Sequence, residues 1–293
     1  MKSQHFLLFI FLFLCLLLSS CKTTSLKVGN VDIGNLVNQG VNVFNVNNID
    51  EKQEIQFGEN MSAVLLGTRP LYGSKEINIY VNHVGLWLAS NSERPDLPWH
   101  FSVINSSSIN AFAAPGGYVF ITSAMLNQLT NEAQLAAVLA HEIIHVVEQH
   151  HLNAIKEGAM RDALTESLFV SVEAYQANTG ASNEQQEYKA WSKQISSAAQ
   201  DLYSKGLNRD DELQADQQGI RLLARAGYDP FAFITNLQLL NAIAADDSSL
   251  ALLYKTHPTP EQRLAALSNS INELSNVSGA LLVKRFQKKI HPF

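Results

Sequence analysis

His141-Glu142-Ile143-Ile144-His145 is the segment of this chain best suited to chemistry. Residues four apart share one face of a helix, so His141 and His145 can present two imidazoles to one ion, with Glu142 beside them. Zinc takes such nitrogens at about 2.0–2.1 Å, and its hydrolytic sites usually combine three protein ligands with a water. Glu142 stands where it can accept a proton from that water. The chain has nine histidines, and a chance match to this spacing somewhere in it has odds of roughly 0.01–0.02. The bland alternative is a pair of structural histidines on a buried helix, and a third ligand at a sensible place argues against it.

Glu212-Leu213-Gln214-Ala215-Asp216 offers that ligand. On a helix, Glu212 completes a set of two histidines and one glutamate. Asp216, one turn later, can accept a hydrogen bond from the far nitrogen of a ligand histidine and so fix its tautomer. Alone, Glu-x-x-x-Asp is usually a solvated helix face; its weight comes from the histidine pair. His150 and His151 fall roughly 140° and 120° around the helix from His145, which predicts ordinary helix-surface histidines. His83, His100 and His291 have no partner at metal spacing. Arg263 reads as a residue that steadies its neighbourhood or pairs at the surface, not as part of a site.

The elements that must carry these groups follow from periodicity. Apolar positions from Glu51 to about Leu66 fit a helix. Ile77, Val81, Val84 and Leu88 fit a second, although the alternation of Ile77, Ile79 and Val81 leaves a strand start open. Residues 99–104, 109–113 and 118–122 read as short strands, and Pro115-Gly116-Gly117 makes a hairpin of the last two. Thr130 reads as the N-cap of an Ala/Leu-rich helix that continues past His150. Further helices are expected near 159–176, 185–203, 209–226, 230–244 and 260–274, and residues 281–290 form a final amphipathic one with four basic residues. No repeat of fixed period is present. The expected fold is α+β: several helices against a small sheet.

With 46% hydrophobic residues among 293, the chain can bury a sizeable core, and one catalytic domain is expected over 51–293. The net charge of -6, with its positive charges scattered, lacks the basic footprint of a nucleic-acid binder. Residues 1–20 read as an export signal. Lys2 precedes an apolar run from Phe6 to Leu18 that is shorter than the roughly 20 residues needed to span a bilayer. Leu18-Ser19-Ser20-Cys21 resembles a bacterial lipobox, whose cleavage leaves an acylated Cys21. Lys22 follows, not the Asp that holds such lipoproteins at the inner membrane, so attachment to the outer membrane facing the periplasm is expected, with 21–50 as a lipidated tether. Cys15 and Cys21 are the only cysteines, so the mature chain has no disulfide although its compartment permits one.

Five segments then make a family recognisable: Asn110 to Phe120 (NAFAAPGGYVF), Leu135 to Ala140 running into HEIIH, Glu212 to Asp216, Ala226-Gly227-Tyr228-Asp229-Pro230, and Thr256-His257-Pro258-Thr259-Pro260. In this order, over about residues 50–275, they resemble the HtpX-like and CAAX-prenyl-endopeptidase-like family of gluzincin zinc metallopeptidases. Within it, the chain is similar to the periplasmic lipoprotein branch of the BepA/LoiP type, here without a helical-repeat extension after residue 275. The resemblance implies one zinc ion per chain held by His141, His145 and Glu212, with Glu142 as catalytic base and Asp216 behind a ligand. It implies that Asn110, Ala111, Phe112 and Ala113 form an edge strand of the small sheet along the cleft, where substrate adds as a further strand; an internal strand is the plain alternative. His257 is implied as a latch on the fourth zinc position or as a stabiliser of the oxyanion, against a surface histidine capping the helix at Pro258. The implied substrates are misfolded or stalled envelope proteins, and the membrane is met through the N-terminal lipid. A zinc-bound, chaperone-like assembly factor with little proteolysis is the rival. Glu142 argues against it, since a structural zinc site needs no adjacent carboxylate.

Overall fold

The computed structural model of the chain describes residues 27–28, 31–32, 49–158, 206–243, 247–274 and 276–290. The export signal over 1–20, Cys21, the helices expected near 159–176 and 185–203, and His291 lie outside these residues, as does most of the tether. By contacts the chain divides into Met1–Asn48 and Ile49–Phe293. In the first unit, β1 (Lys27–Val28) pairs antiparallel with β2 (Val31–Asp32).

The second unit opens with α1 (Glu51–Thr68). Asp50 and Gln53 start it by exchanging side-chain and backbone hydrogen bonds of 2.8 and 3.0 Å, a reciprocal cap that satisfies two otherwise orphaned donors. In α2 (Lys75–Ala89), Ile77, Tyr80, Val81, Val84 and Leu88 are all buried, which is a helical stripe and settles the strand alternative. Three strands follow: β3 (His100–Ile104), β4 (Ala111–Ala114) and β5 (Tyr118–Thr122). Their order is β3-β5-β4, with β3 and β5 parallel and β4 antiparallel to β5. The expected hairpin is therefore present. Its turn needs glycine: Gly116 has φ +74°, and a Cβ there would sit 2.5 Å from the Ile55 backbone of α1. Among the described residues β4 pairs on one side only, leaving an open sheet edge.

After α3 (Ser123–Gln128) comes α4 (Glu132–Val147), whose residues Glu132 to Val146 are all buried. Its N-cap is Asn131, one residue later than expected, with the side chain accepting from Gln134 N at 2.9 Å. Thr130 instead donates its N–H to the Gln134 side chain at 2.7 Å. The apolar run that marks this helix has no polar face because α4 is the centre of the unit, contacting α2, β4, β5, α5 (Arg209–Arg225) and α6 (Phe231–Ala242). A 3-10 turn at Ser248–Leu250 leads to α7 (Ala251–Thr256), α8 (Pro260–Ala266), α9 (Ser268–Glu273) and α10 (Val283–Ile290). The single helix expected over 260–274 is thus two, meeting at the fully buried Leu267. Among the described residues, no helix is long and apolar enough to cross a membrane.

Candidate metal centre

His141 and His145 lie one turn apart on α4, with their Nε2 atoms 3.0 Å from each other. Helix α5 crosses α4 here and comes close because Gly219 leaves no room for more: a Cβ on it would stand 3.3 Å from His141 N. One turn and more before Gly219, Glu212 reaches over both rings. Its Oε2 is 3.6 Å from His141 Nε2 and its Oε1 is 3.5 Å from His145 Nε2. Around a tetrahedral ion with bonds of about 2.0–2.1 Å, ligand atoms stand about 3.3–3.4 Å apart, so the trio encloses a point of the size zinc requires. The polar atoms fit the same reading. Glu212 Oε2 is buried and has no hydrogen-bond partner among the described residues, a state that folding avoids unless something else meets the charge.

The orientation of His141 is fixed from behind. Its Nδ1 donates to Asp216 Oδ1 at 2.9 Å. A carboxylate only accepts, so Nδ1 keeps its proton towards Asp216, although the Arg263 guanidinium also lies 3.3 Å from it, and Nε2 is the nitrogen turned to Glu212 and His145. Arg263 grips the same carboxylate twice, at 2.9 and 2.5 Å, and is itself buried. The surface-pairing alternative for this arginine is therefore removed, and it steadies the carboxylate behind His141. Nothing in the sequence marks it except its place six residues after His257.

His257 ends α7 and turns inward, with Nε2 3.7 Å from Glu212 Oε2 and its ring 5.6 Å from that of His141. Thr256 Oγ1 lies 2.9 Å from its Nδ1. The surface-capping alternative is thereby removed: Thr259, not His257, is the N-cap of α8. His141, Glu142 and His257 bring ligand atoms within 4.8 Å of one another, as do His141, His145 and Glu212.

His150 and His151 are not the helix-surface residues that their spacing predicts. Helix α4 does not continue past them; it stops at Val147, and Gln149 adopts φ +57°. Glu54 of α1 holds this left-handed residue by accepting from Gln149 Nε2 at 2.9 Å. Arg94, paired to Glu54, donates to the Val146 carbonyl at 3.3 Å. Residues 150–158 are helical again. The break swings both histidines inward, so that they are 4% and 8% exposed instead of lying on a surface face. His150 Nδ1 is 3.0 Å from His145 Nδ1, and the His151 ring is 5.2 Å from the His145 ring.

The electrostatics suit a cation. Burial disfavours charge on His141, yet the Asp216 and Glu212 carboxylates outweigh it and raise the pKa to about 9. A field that draws a proton draws a metal ion equally. Burial opposes ionisation of Glu212 and Asp216, but His257 and His141 keep Glu212 below its ordinary value, and Arg263 holds Asp216 well below its own. Burial keeps His145, His151 and His257 neutral, the last two with pKa values of about 3 and about 4. Glu142 is raised to about 7 by burial, reinforced by the nearby Glu212. A group poised there can take and return a proton near neutral pH.

Glu142 opens onto a cleft walled by Ala111, Val138, Phe233, Leu237 and Leu240. Of the four residues expected along the cleft, Ala111 borders it. Asn110 precedes β4 and pairs with Thr122, while Phe112 stacks on Phe120 at 5.2 Å and Ala113 is buried in the core.

Comparison with known proteins agrees with this arrangement. The profile described as Peptidase family M48 matches residues 76–271. The Beta-barrel assembly-enhancing protease of Escherichia coli (strain K12) is 34% identical over 227 residues, which are 76% of this chain and 44% of that protein. The Putative beta-barrel assembly-enhancing protease of Vibrio cholerae is 33% identical over 72% of this chain and 43% of its own length. The Mitochondrial metalloendopeptidase OMA1 of Schizosaccharomyces pombe is 28% identical over 71% of this chain and 57% of its own length. The match thus spans less than half of these bacterial relatives.

Proposed function

The chain belongs to peptidase family M48, and from that premise we propose that it is a zinc-dependent endopeptidase whose single metal ion is held by His141, His145 and Glu212. The carrying observation is the convergence on one point of two ring nitrogens and a buried carboxylate, one oxygen of which has no hydrogen-bond partner among the described residues. When bound, zinc supplies a Lewis acid that polarises a carbonyl and lowers the pKa of water towards about 7. The other steps belong to this chain's own residues. Glu142, buried beside the ligands and raised to about 7, takes a proton from the attacking water and returns it to the departing amine, so that water adds across the C–N bond and leaves an acid and an amine. Asp216, braced by Arg263, keeps the proton of His141 on Nδ1.

Substrate adds to the open edge of β4 as an extended strand. Main-chain pairing on such an edge holds many sequences while pockets choose side chains, and the small Ala111 leaves the neighbouring cleft open to a side chain. His257 serves the same centre, either as a latch on the open coordination position or as a donor to the oxyanion. His257→Ala separates the two: loss of a latch raises turnover, and loss of a donor lowers it.

The setting we propose is the outer membrane, with a lipid on Cys21 and the catalytic unit facing the periplasm, and the substrates are unfolded or misassembled envelope proteins. The lipobox-like Leu18-Ser19-Ser20-Cys21 and relatives named for β-barrel assembly support this reading. The chaperone-like rival is not favoured, because it gives Glu142 nothing to do. In a cleavage assay on an unfolded outer-membrane protein, Glu142→Gln should bind one zinc ion as wild type does yet cleave 10²- to 10⁴-fold more slowly, the usual range for a lost general base. Cleavage at the wild-type rate would overturn the proposal.

A further inference from the structure

Both ligand histidines need their Nε2 atoms bare, and only His141 has a carboxylate at its Nδ1 to ensure it. The group facing Nδ1 of His145 is another imidazole, Nδ1 of His150 at 3.0 Å. One proton lies between these two nitrogens, and its owner decides whether His145 can bind a metal.

The answer is set at the far end of His150. Gln214, on α5 between Glu212 and Asp216, donates through Nε2 to Glu148 Oε2 at 2.9 Å. A carboxylate accepts only, so the amide is oriented with its oxygen towards His150, 3.3 Å from Nε2. An amide oxygen also accepts only, which places the His150 proton on Nε2. Asp211 Oδ1 lies 3.8 Å from the same nitrogen, too far for a hydrogen bond but adding negative charge on that side. A neutral imidazole has a single N–H, so His150 Nδ1 is a lone pair and must receive the Nδ1 proton of His145. We propose that His150 is a positioning residue of the metal centre: the chain Glu148–Gln214–His150 holds the proton of His145 on Nδ1 and keeps its Nε2 bare for the ion.

This inference rests on the zinc reading of the site and explains two features left over from it. The first is the left-handed Gln149. A non-glycine residue is strained in that conformation, and an unbroken helix would place His150 about 140° away from His145. The break held by Glu54 and Arg94 is what brings the two rings together. The second is Gln214. With Glu212 as ligand and Asp216 behind His141, it makes α5 the source of one ligand and of the orientation of both histidines.

Zinc affinity of the full chain, measured by competition with a chromogenic chelator, tests the role. His150→Phe should bind zinc about 10- to 100-fold more weakly, as outer partners of metal ligands do when removed. His150→Asn, which keeps an acceptor at the δ position, should recover most of the loss. Gln214→Leu leaves His150 in place without its orienting acceptor and should lose a smaller part. Long-range proton–nitrogen spectra of the metal-free wild type should show His145 protonated at Nδ1, and this result does not depend on whether His150→Phe folds. A folded His150→Phe that binds zinc as tightly as wild type, or His145 protonated at Nε2, would overturn the role of His150 while leaving the metal site standing. A wild-type chain that binds no zinc would overturn both.

Discussion

The two ends of α4 each meet a buried carboxylate, and the protein treats them in opposite ways. At the N-terminal end Glu132, fully buried, receives the hydroxyls of Tyr80 at 2.6 Å and Tyr228 at 2.7 Å, and Arg285 closes on both of its oxygens. Each oxygen has two donors, and the knot ties α2, α4, the turn after α5 and α10 together. Towards the other end Glu212 is buried to a similar degree, but its neighbours are the Nε2 atoms of His141 and His145, and one of its oxygens has no donor among the described residues. Folding pairs the polar groups it buries. An unpaired oxygen held beside two ring nitrogens leaves room for a cation to complete the set. Burial alone does not tell the two carboxylates apart; the company each keeps does.

Substitutions at the two ends should therefore fail in different ways. Glu212→Gln should weaken zinc binding on the order of 10³-fold, since one of three protein ligands is impaired. Metal-free stability should shift by less than about 1 kcal/mol, because relief from burying the charge offsets the lost attraction of His141. Glu132→Ala should do the reverse, destabilising the fold by about 3 kcal/mol through the lost partner of three donor side chains, Tyr80, Tyr228 and Arg285, while leaving zinc affinity within a factor of about two of wild type. Chelator competition and thermal melting on the same samples check both variants. Asp216→Asn sits between them: it keeps the shape but not the charge, and should cost about 10- to 100-fold in zinc affinity. Arg285→Ala should have the smallest effect, about 1 kcal/mol by melting, because its side chain is 53% exposed and water replaces much of the pairing.

The same contrast explains what could be read from the amino-acid order. His141, His145, Glu212 and Asp216 announce themselves because each pair is set four apart on one helix, a spacing that geometry converts directly into a shared face. The β4–β5 hairpin was equally plain, since Gly116 and Gly117 mark a turn that other residues avoid. Arg263, Glu132 and Arg285 gave no such signal. A single arginine or a glutamate in a first helical turn looks like a surface residue until its partner, far along the chain, is folded against it. His150 and His151 lie elsewhere than helical spacing places them for a different reason: the helix is broken before it reaches them. The break at Gln149 is held by Glu54 and Arg94, which stand far earlier in the chain, about a third and a fifth of its length away, and no glycine or proline stands there to announce it. The split at Leu267 is likewise unmarked.

Anomalous diffraction measured above the zinc absorption edge, on crystals of the zinc-loaded protein, tests the account at its root. The expected result is one strong peak per chain, bounded by Nε2 of His141, Nε2 of His145 and the carboxylate of Glu212. Density lacking any peak at that point, or a peak that chooses the neighbourhood of Glu132 instead, would contradict it.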